Sequence, residues 1–328
     1  MPVNEVIVNG ETLINLKSDT VAPEYLQSGI TAHDRTGAAI VGTMTPGGGG
    51  GAEDAAAIIN RTISGAYENS LVTTVGSHAM RGCPSLKAVS FPLCTTIGSY
   101  AFANCTSLNT ANFSACGWIG SFAFLNCASL NTVNFPSCSL IWGSVFQNCS
   151  ALRTVNFPVC EVIEGSVFQN CSALSAASFP QCTRIGTYAF ANCFALSEAN
   201  FSVCETISGY AFQSCTALGA VSFPACTVIN ASAFQNCSAL SVVSLPACTR
   251  IFTYAFQRCV RLVSLYLMGS SVASLSASYA FSSTPIAGYS AVAGQVGSIY
   301  VPASLLTAYQ PATNWAYFSS RFVEVEEA

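Results

Sequence analysis

The stretch Ile97-Gly98-Ser99-Tyr100-Ala101-Phe102-Ala103-Asn104-Cys105-Thr106-Ser107-Leu108-Asn109-Thr110-Ala111-Asn112-Phe113 returns along the chain with a step that never slips. Ile97, Ile119, Ile141, Ile163, Ile185, Ile207, Ile229 and Ile251 stand 22 residues apart, and Val75 extends the column upstream. Five residues after each isoleucine comes a phenylalanine, from Phe102 through Phe124, Phe146, Phe168, Phe190, Phe212 and Phe234 to Phe256, with Met80 in the first register. A leucine column runs from Leu86 to Leu262, and a second ring column from Phe91 to Phe223 continues as Leu245 and Leu267. A constant period without insertions makes every unit meet its neighbours in the same way, so equivalent side chains stack into ladders along a repeat solenoid. A unit this short cannot bury its own apolar face.

Within one unit, Leu108-Asn109-Thr110-Ala111-Asn112-Phe113 reads as a short strand, with Leu108, Ala111 and Phe113 inward and Asn112 outward. The broken alternation at Thr110 predicts a bend. Pro136, Pro158, Pro180, Pro224 and Pro246 end that strand, because proline cannot donate to a ladder. The chain then turns through Thr-x-Ile-Gly and passes Tyr-Ala-Phe before the next Asn-Cys.

All 17 cysteines fall 11 residues apart, from Cys83 to Cys259, in two interleaved columns. One lies in Asn-Cys-x-x-Leu, as at Cys105 and Cys127; the other in Phe-Pro-x-Cys, as at Cys94 and Cys138. Three readings compete. Zinc wants clustered pairs such as Cys-x2-Cys, which a uniform step does not supply. Disulfides are open, since ladder neighbours about 4.8 Å apart lie within bridging range, although an odd count leaves one thiol over. The favoured reading is a small buried hydrophobe filling a ladder position. The asparagines beside the first column, such as Asn104, Asn126 and Asn148, are expected to bond turn backbone from coil to coil.

With these columns the chain resembles the BspA-like leucine-rich repeats over roughly residues 70 to 285. The resemblance implies a right-handed leucine-rich-repeat solenoid with a parallel sheet of short strands, built of 22-residue repeats and capped at both ends. The family period is more often 23, and the second cysteine column is unusual, which leaves curvature and twist open.

Composition bounds the chemistry. Of 328 residues 51% are hydrophobic and only 8% charged, and the net charge of −4 provides no basic surface for nucleic acid. No apolar run approaches the ~20 residues of a spanning helix, so no membrane insertion is expected. The start, Met1-Pro2-Val3-Asn4-Glu5-Val6, lacks a basic region followed by an apolar one, which predicts assembly in the cytoplasm without a secretory signal. Both histidines, His33 and His78, and all three aspartates, Asp19, Asp34 and Asp54, lie in the first quarter of the chain. No nucleophile with its base, phosphate loop or metal cluster is visible, so neither an enzyme nor a cofactor nor a metal is expected.

The chain divides into a small attachment module at 1–44, a Gly-rich linker at 45–51, an N-terminal cap at 52–74 formed by a short helix or half-repeat, the solenoid at 75–285 and a C-terminal cap at 286–328. Residues 28–44 look like a short module found in tail and minor structural proteins of phages and prophages. His33 and Asp34 within it read as a turn before a hairpin rather than as catalytic groups. Tyr279-Ala280-Phe281 repeats the turn motif three residues out of phase, and Leu306, Tyr309 and Trp315 are expected to lie over the last coil.

The candidate ligand-binding face is the outward side of the strands: Asn109, Asn112, Asn131, Asn134, Arg153, Asn156, Ser178, Asn200, Ser222 and Tyr266. A partial aromatic column at Tyr100, Phe122, Tyr188, Tyr210 and Tyr254 can stack on sugar rings. A plainer reading is that Asn, Ser and Thr are what a soluble repeat keeps when like charges stacked along a ladder would repel. Two settings follow. One is a tail-associated recognition protein of a phage particle, its N-terminal module on other virion proteins and its solenoid on a host-surface protein or glycan. The alternative is a bacterial cell-surface or secreted adhesin that binds host proteins or glycans.

Overall fold

A computed structural model describes residues 3–8, 11–15, 31–34, 39–41, 64–70, 72–289 and 294–326, the first four stretches as backbone only. The chain is a parallel-strand solenoid that divides into two compact units, Met1–Leu152 and Arg153–Ala328.

In the first unit every repeat lays down two strands. The longer ones, Gly65–Glu68, Leu86–Ser90, Thr110–Asn112 and Thr132–Asn134, pair in parallel and in register, so that Ser90, Asn112 and Asn134 face one another in turn. Thr110–Asn112 is shorter than the expected strand, but its burial alternates as expected: Ala111 is inside, Thr110 and Asn112 outside. The shorter strands, Thr74–Val75, Thr96–Ile97, Trp118–Ile119 and Leu140–Ile141, form a second parallel ladder where the sequence predicts a turn. Two residues suffice because isoleucine buries its branched side chain and the next N–H crosses to the preceding coil, as Gly98 does to the Val75 carbonyl at 2.7 Å. A Cβ at Gly98 would lie 2.4 Å from the Ser77 nitrogen, so the close approach of the coils demands glycine there.

Turns make the third ladder. The N–H groups of Tyr100, Phe102 and Asn104 donate to the carbonyls of Ser121, Ala123 and Leu125 at 3.1, 2.7 and 2.7 Å, while those of Ala101, Ala103 and Cys105 donate within their own turn. Such alternation requires left-handed backbone at Tyr100 and Asn104, with φ of 58° and 63°. It also corrects the expected role of the asparagines: their side chains bond each other rather than turn backbone. Asn126 Nδ2 donates to Asn104 Oδ1 at 2.8 Å, and Asn148 Nδ2 to Asn126 Oδ1 at 2.7 Å. Asparagine suits the position because its short amide tolerates the left-handed region. Asn126→Ala should therefore cost about 2 kcal/mol, from two lost amide bonds and a strained alanine. Asn126→Gly should recover the backbone part, and thermal unfolding of both variants checks the difference.

The strands Val3–Val8, Glu11–Asn15, Thr31–Asp34 and Ala39–Val41 are antiparallel, and Glu11–Asn15 pairs with Thr74–Val75 along the open edge of the short-strand ladder. Blocking that edge removes a template for unwanted pairing. The expected linker at 45–51 and residues 52–63 of the expected cap lie outside the described residues.

In the second unit the longer strands are Ala176–Ser178, Glu198–Asn200, Ala220–Ser222, Val242–Ser244 and Ser264–Tyr266, followed by Ser298–Pro302 and Phe322–Val325. The short ladder runs from Val162–Ile163 to Ser274–Leu275, and its last pair, Ile251 with Leu275, spans the phase slip. Phe281 nevertheless stacks on Phe256 with ring centres 5.6 Å apart, so the inserted residues loop outward and the core column continues.

Two ring columns fill this core. Phe190, Phe212, Phe234 and Phe256 stack at 5.2 to 5.4 Å, and Phe179, Phe201 and Phe223 at 5.6 to 6.0 Å. Rings of opposite columns meet edge to face, as Phe190 and Phe201 do at 5.7 Å and 68°. Phe190, Phe201 and Phe212 thus each satisfy both preferred aromatic geometries. At the C-terminal end, Ala273 donates its N–H to the Tyr309 hydroxyl at 2.9 Å, and Trp315 Nε1 donates to the Ala273 carbonyl at 2.6 Å. Asn314 donates to the Leu275 carbonyl at 2.7 Å. Tyr309 and Trp315 are buried and Leu306 only half so.

Candidate functional site

The exposed side of the longer strands carries the candidate residues. In the first unit Asn109 and Asn112 are exposed and Asn131 and Asn134 half-buried. Amide groups there are partly engaged along the ladder, Asn134 donating to Asn112 Oδ1 at 3.3 Å and Asn112 to Ser90 Oγ at 3.4 Å. In the second unit Arg153, Asn156, Ser178, Asn200 and Ser222 are exposed and Tyr266 is half-buried. Pairing puts Ser178, Asn200, Ser222, Ser244, Tyr266 and Tyr300 on one line across the sheet, one per strand. Tyr266 and Tyr300 stack at 4.5 Å, so this line of hydroxyls and amides ends in an aromatic pair. Three residues earlier, Ser197 and Ser241 turn their hydroxyls onto the carbonyls of Ser175 and Gly219, which leaves less for a ligand.

The aromatic column belongs to the turn ladder, apart from the strand face. His78, Tyr100 and Phe122 form a continuous stack at 5.0 and 4.7 Å, with the Arg81 guanidinium 5.4 Å from the Tyr100 ring. Tyr188 stacks on Tyr210 at 4.7 Å, and Tyr254 on Tyr279 at 6.1 Å. His78, Tyr100, Phe122, Tyr188, Tyr210 and Tyr254 all have a positive φ, between 57° and 62°. Only Tyr100 lies between two rings; Phe122, Tyr188, Tyr210 and Tyr254 each stack on one, because Ser144, Ser166 and Ser232 stand at the neighbouring positions, so the column forms short separate stacks.

All 17 cysteines are free and buried. Spacing had not revealed what the thiols bond. First-column thiols donate to the phenylalanine carbonyl of the preceding coil, as Cys193 does to Phe168 at 3.1 Å and Cys215 to Phe190 at 3.2 Å. Second-column thiols donate two residues ahead, Cys94 to the Thr96 carbonyl at 3.2 Å and Cys182 to Arg184 at 3.3 Å. Cysteine fits because it fills the space of a small hydrophobe and still satisfies a buried acceptor. Burial pushes the second-column Cys94 thiol up to about 11 and the first-column Cys127 thiol to about 12, so neither offers a reactive thiolate near neutral pH.

Sequence reasoning missed an exposed aromatic pair on the short-strand wall. Trp118 and Trp142 meet edge to face at 6.4 Å, 37% and 41% exposed. Their columns are variable, Thr, Leu, Val or Arg at positions equivalent to Trp118 and Gly, Glu, Ser, Asn or Phe at those equivalent to Trp142, and tryptophan occurs in each column once. Among the described residues no cluster of three or more His, Cys, Asp or Glu is arranged to hold a metal ion. No helix among them is long and apolar enough to cross a membrane.

A stack of 22-residue coils with a parallel strand ladder and a buried leucine column defines a leucine-rich-repeat solenoid. More narrowly, the chain belongs to the BspA type leucine rich repeat family, whose signature matches in six copies over residues 66–175 and 161–287. No curated protein matches the chain in sequence. Among solved structures, a leucine rich cell surface protein of Faecalibacterium prausnitzii shares 20% identity, covering 98% of this chain and 94% of its own, with a TM-score of 0.46. The pneumococcal vaccine antigen PcpA shares 14% over 100% of this chain and 87% of its own, with a TM-score of 0.42. A leucine-rich repeat protein of Bacteroides ovatus shares 19% over 82% and 85%, with a TM-score of 0.37.

Proposed function

We propose that the chain is a non-enzymatic recognition protein of a bacterial surface, holding its partner on the outer side of the longer strands. The observation that carries this reading is the uncharged line Ser178, Asn200, Ser222, Ser244 and Tyr266, which offers one hydrogen-bonding group per coil at the strand spacing of about 4.8 Å. A rigid row of donors and acceptors costs little ordering on binding. It suits a partner with regularly spaced polar groups, either an extended glycan or the strand edge of a host protein. Membership of the BspA-type family supports the cell-surface setting over the virion.

The full chain should bind a host envelope preparation or members of a glycan array. Substituting Asn200 and Ser222 together by alanine should weaken that binding about ten-fold, the effect of losing ~1.4 kcal/mol at an interface, without moving the thermal midpoint. Retained affinity in the double variant would move recognition off the strand face.

The phage setting rests on residues 28–44, of which only the strands Thr31–Asp34 and Ala39–Val41 are described. In that setting residues 1–44 attach to other virion proteins and 45–51 give reach. Co-purification of the chain with particles from an induced culture tests it.

A further inference from the structure

A concave site of about 340 Å³ lies in the second unit, lined by Ser278, Tyr279, Ser282, Tyr317, Ser320 and Arg321 over a floor that includes Ile286 and Phe318. Three features define it. The Arg321 guanidinium is the cation in its lining and, like the other described cations apart from Arg184, has no ion-pair partner among the described residues. It lies beside Gly288, whose φ of +86° favours glycine and where a Cβ would make only ordinary contact with Nη2 at 3.6 Å. Tyr279 and Tyr317 are 59% and 77% exposed, the first as the outer end of the turn-ladder stack on Tyr254. Stacked on a single ring, Tyr279 leaves much of its own surface open to solvent.

The geometry points to a binding site for one carboxylated sugar residue of an acidic glycan. The volume falls within the range of small-ligand pockets. A planar guanidinium fork matches a carboxylate in bidentate fashion, and one cation balances one carboxylate but not a phosphate dianion. Tyrosine rings accept the apolar face of a pyranose, and the three serine hydroxyls are placed to meet ring hydroxyls. The net charge of −4 repels anions in general, so capture depends on Arg321 itself. This site is independent of the strand-face reading, and either can fail alone.

The test uses the full chain with D-glucuronate and N-acetylneuraminate as probes, followed by saturation-transfer NMR and titration calorimetry. Methyl glucoside serves as the neutral ring, acetate as the bare carboxylate and an acetylated tripeptide as a peptide carboxylate. At least one acidic sugar should bind, more tightly than all three comparators. R321Q should weaken it about ten-fold or more, and Y317A, at the most exposed ring, by several-fold, with both thermal midpoints unchanged and with N200A/S222A binding as wild type. Equal binding of acetate or the tripeptide, undiminished binding in R321Q, or no binding of either sugar at millimolar concentration would each overturn the assignment.

Discussion

Phe212→Ala is expected to lower the unfolding free energy by about 3–5 kcal/mol. Phe212 is buried between Phe190 and Phe234, each 5.2 Å away, and meets Phe201 edge to face at 5.9 Å and Phe223 tilted at 6.0 Å. Removing the ring takes stacking from two neighbours in its own column and contacts from two in the other. The coils cannot collapse into the gap, because their spacing is held by the strand and turn ladders on every side. In a solenoid such damage stays between neighbours. Hydrogen exchange should therefore speed most in the coils carrying Phe190, Phe212 and Phe234, while urea unfolding reports the total. Phe212→Leu, which keeps most of the bulk, should cost under half as much. A loss below 1 kcal/mol for the alanine variant would mean that the rings are not a close-packed column.

Alkaline pH should unfold the protein cooperatively. Burial raises the thiols of Cys94, Cys182 and Cys248 from an ordinary 9.0 to about 11, and those of Cys127, Cys138 and Cys226 to about 12. A raised acid keeps its proton in the folded chain after the unfolded chain has lost it. Its stabilisation is constant below pH 9 and declines through the window from 9 to about 11 or 12. At pH 10 each of the six gives up about 1 kcal/mol, a sum comparable with the whole stability of an ordinary domain. Circular dichroism in the presence of reductant should show a steep transition between pH 10 and 11, releasing several protons per chain. Replacing Cys182 and Cys226 by alanine should reduce the number released. A chain that stays folded at pH 11.5, or unfolds with release of a single proton, would contradict the buried ladders.

The repeat, its length and its inward columns were legible because a translational lattice writes itself into spacing: Ile97 lies over Ile119 for the same reason that Phe102 lies over Phe124. The strand face was legible in part, since alternation tells Ala111 from Asn112. Less could be read where neighbours decide. Asn126 pairs with Asn104 rather than with backbone only because both adopt left-handed turns, and a two-residue strand at Thr96–Ile97 exists only because another coil lies beside it.

Periodicity was enough for the fold class, the core columns and the outward polar rows, because each depends on a residue and its equivalents one period away. The assembled coils alone decided which carbonyl each thiol reaches, although those bonds recur at fixed separations of 25 and 2 residues, and that Arg321 and Tyr317 join Tyr279 around one hollow. Direction and distance in space set these contacts, and no interval along the chain encodes either.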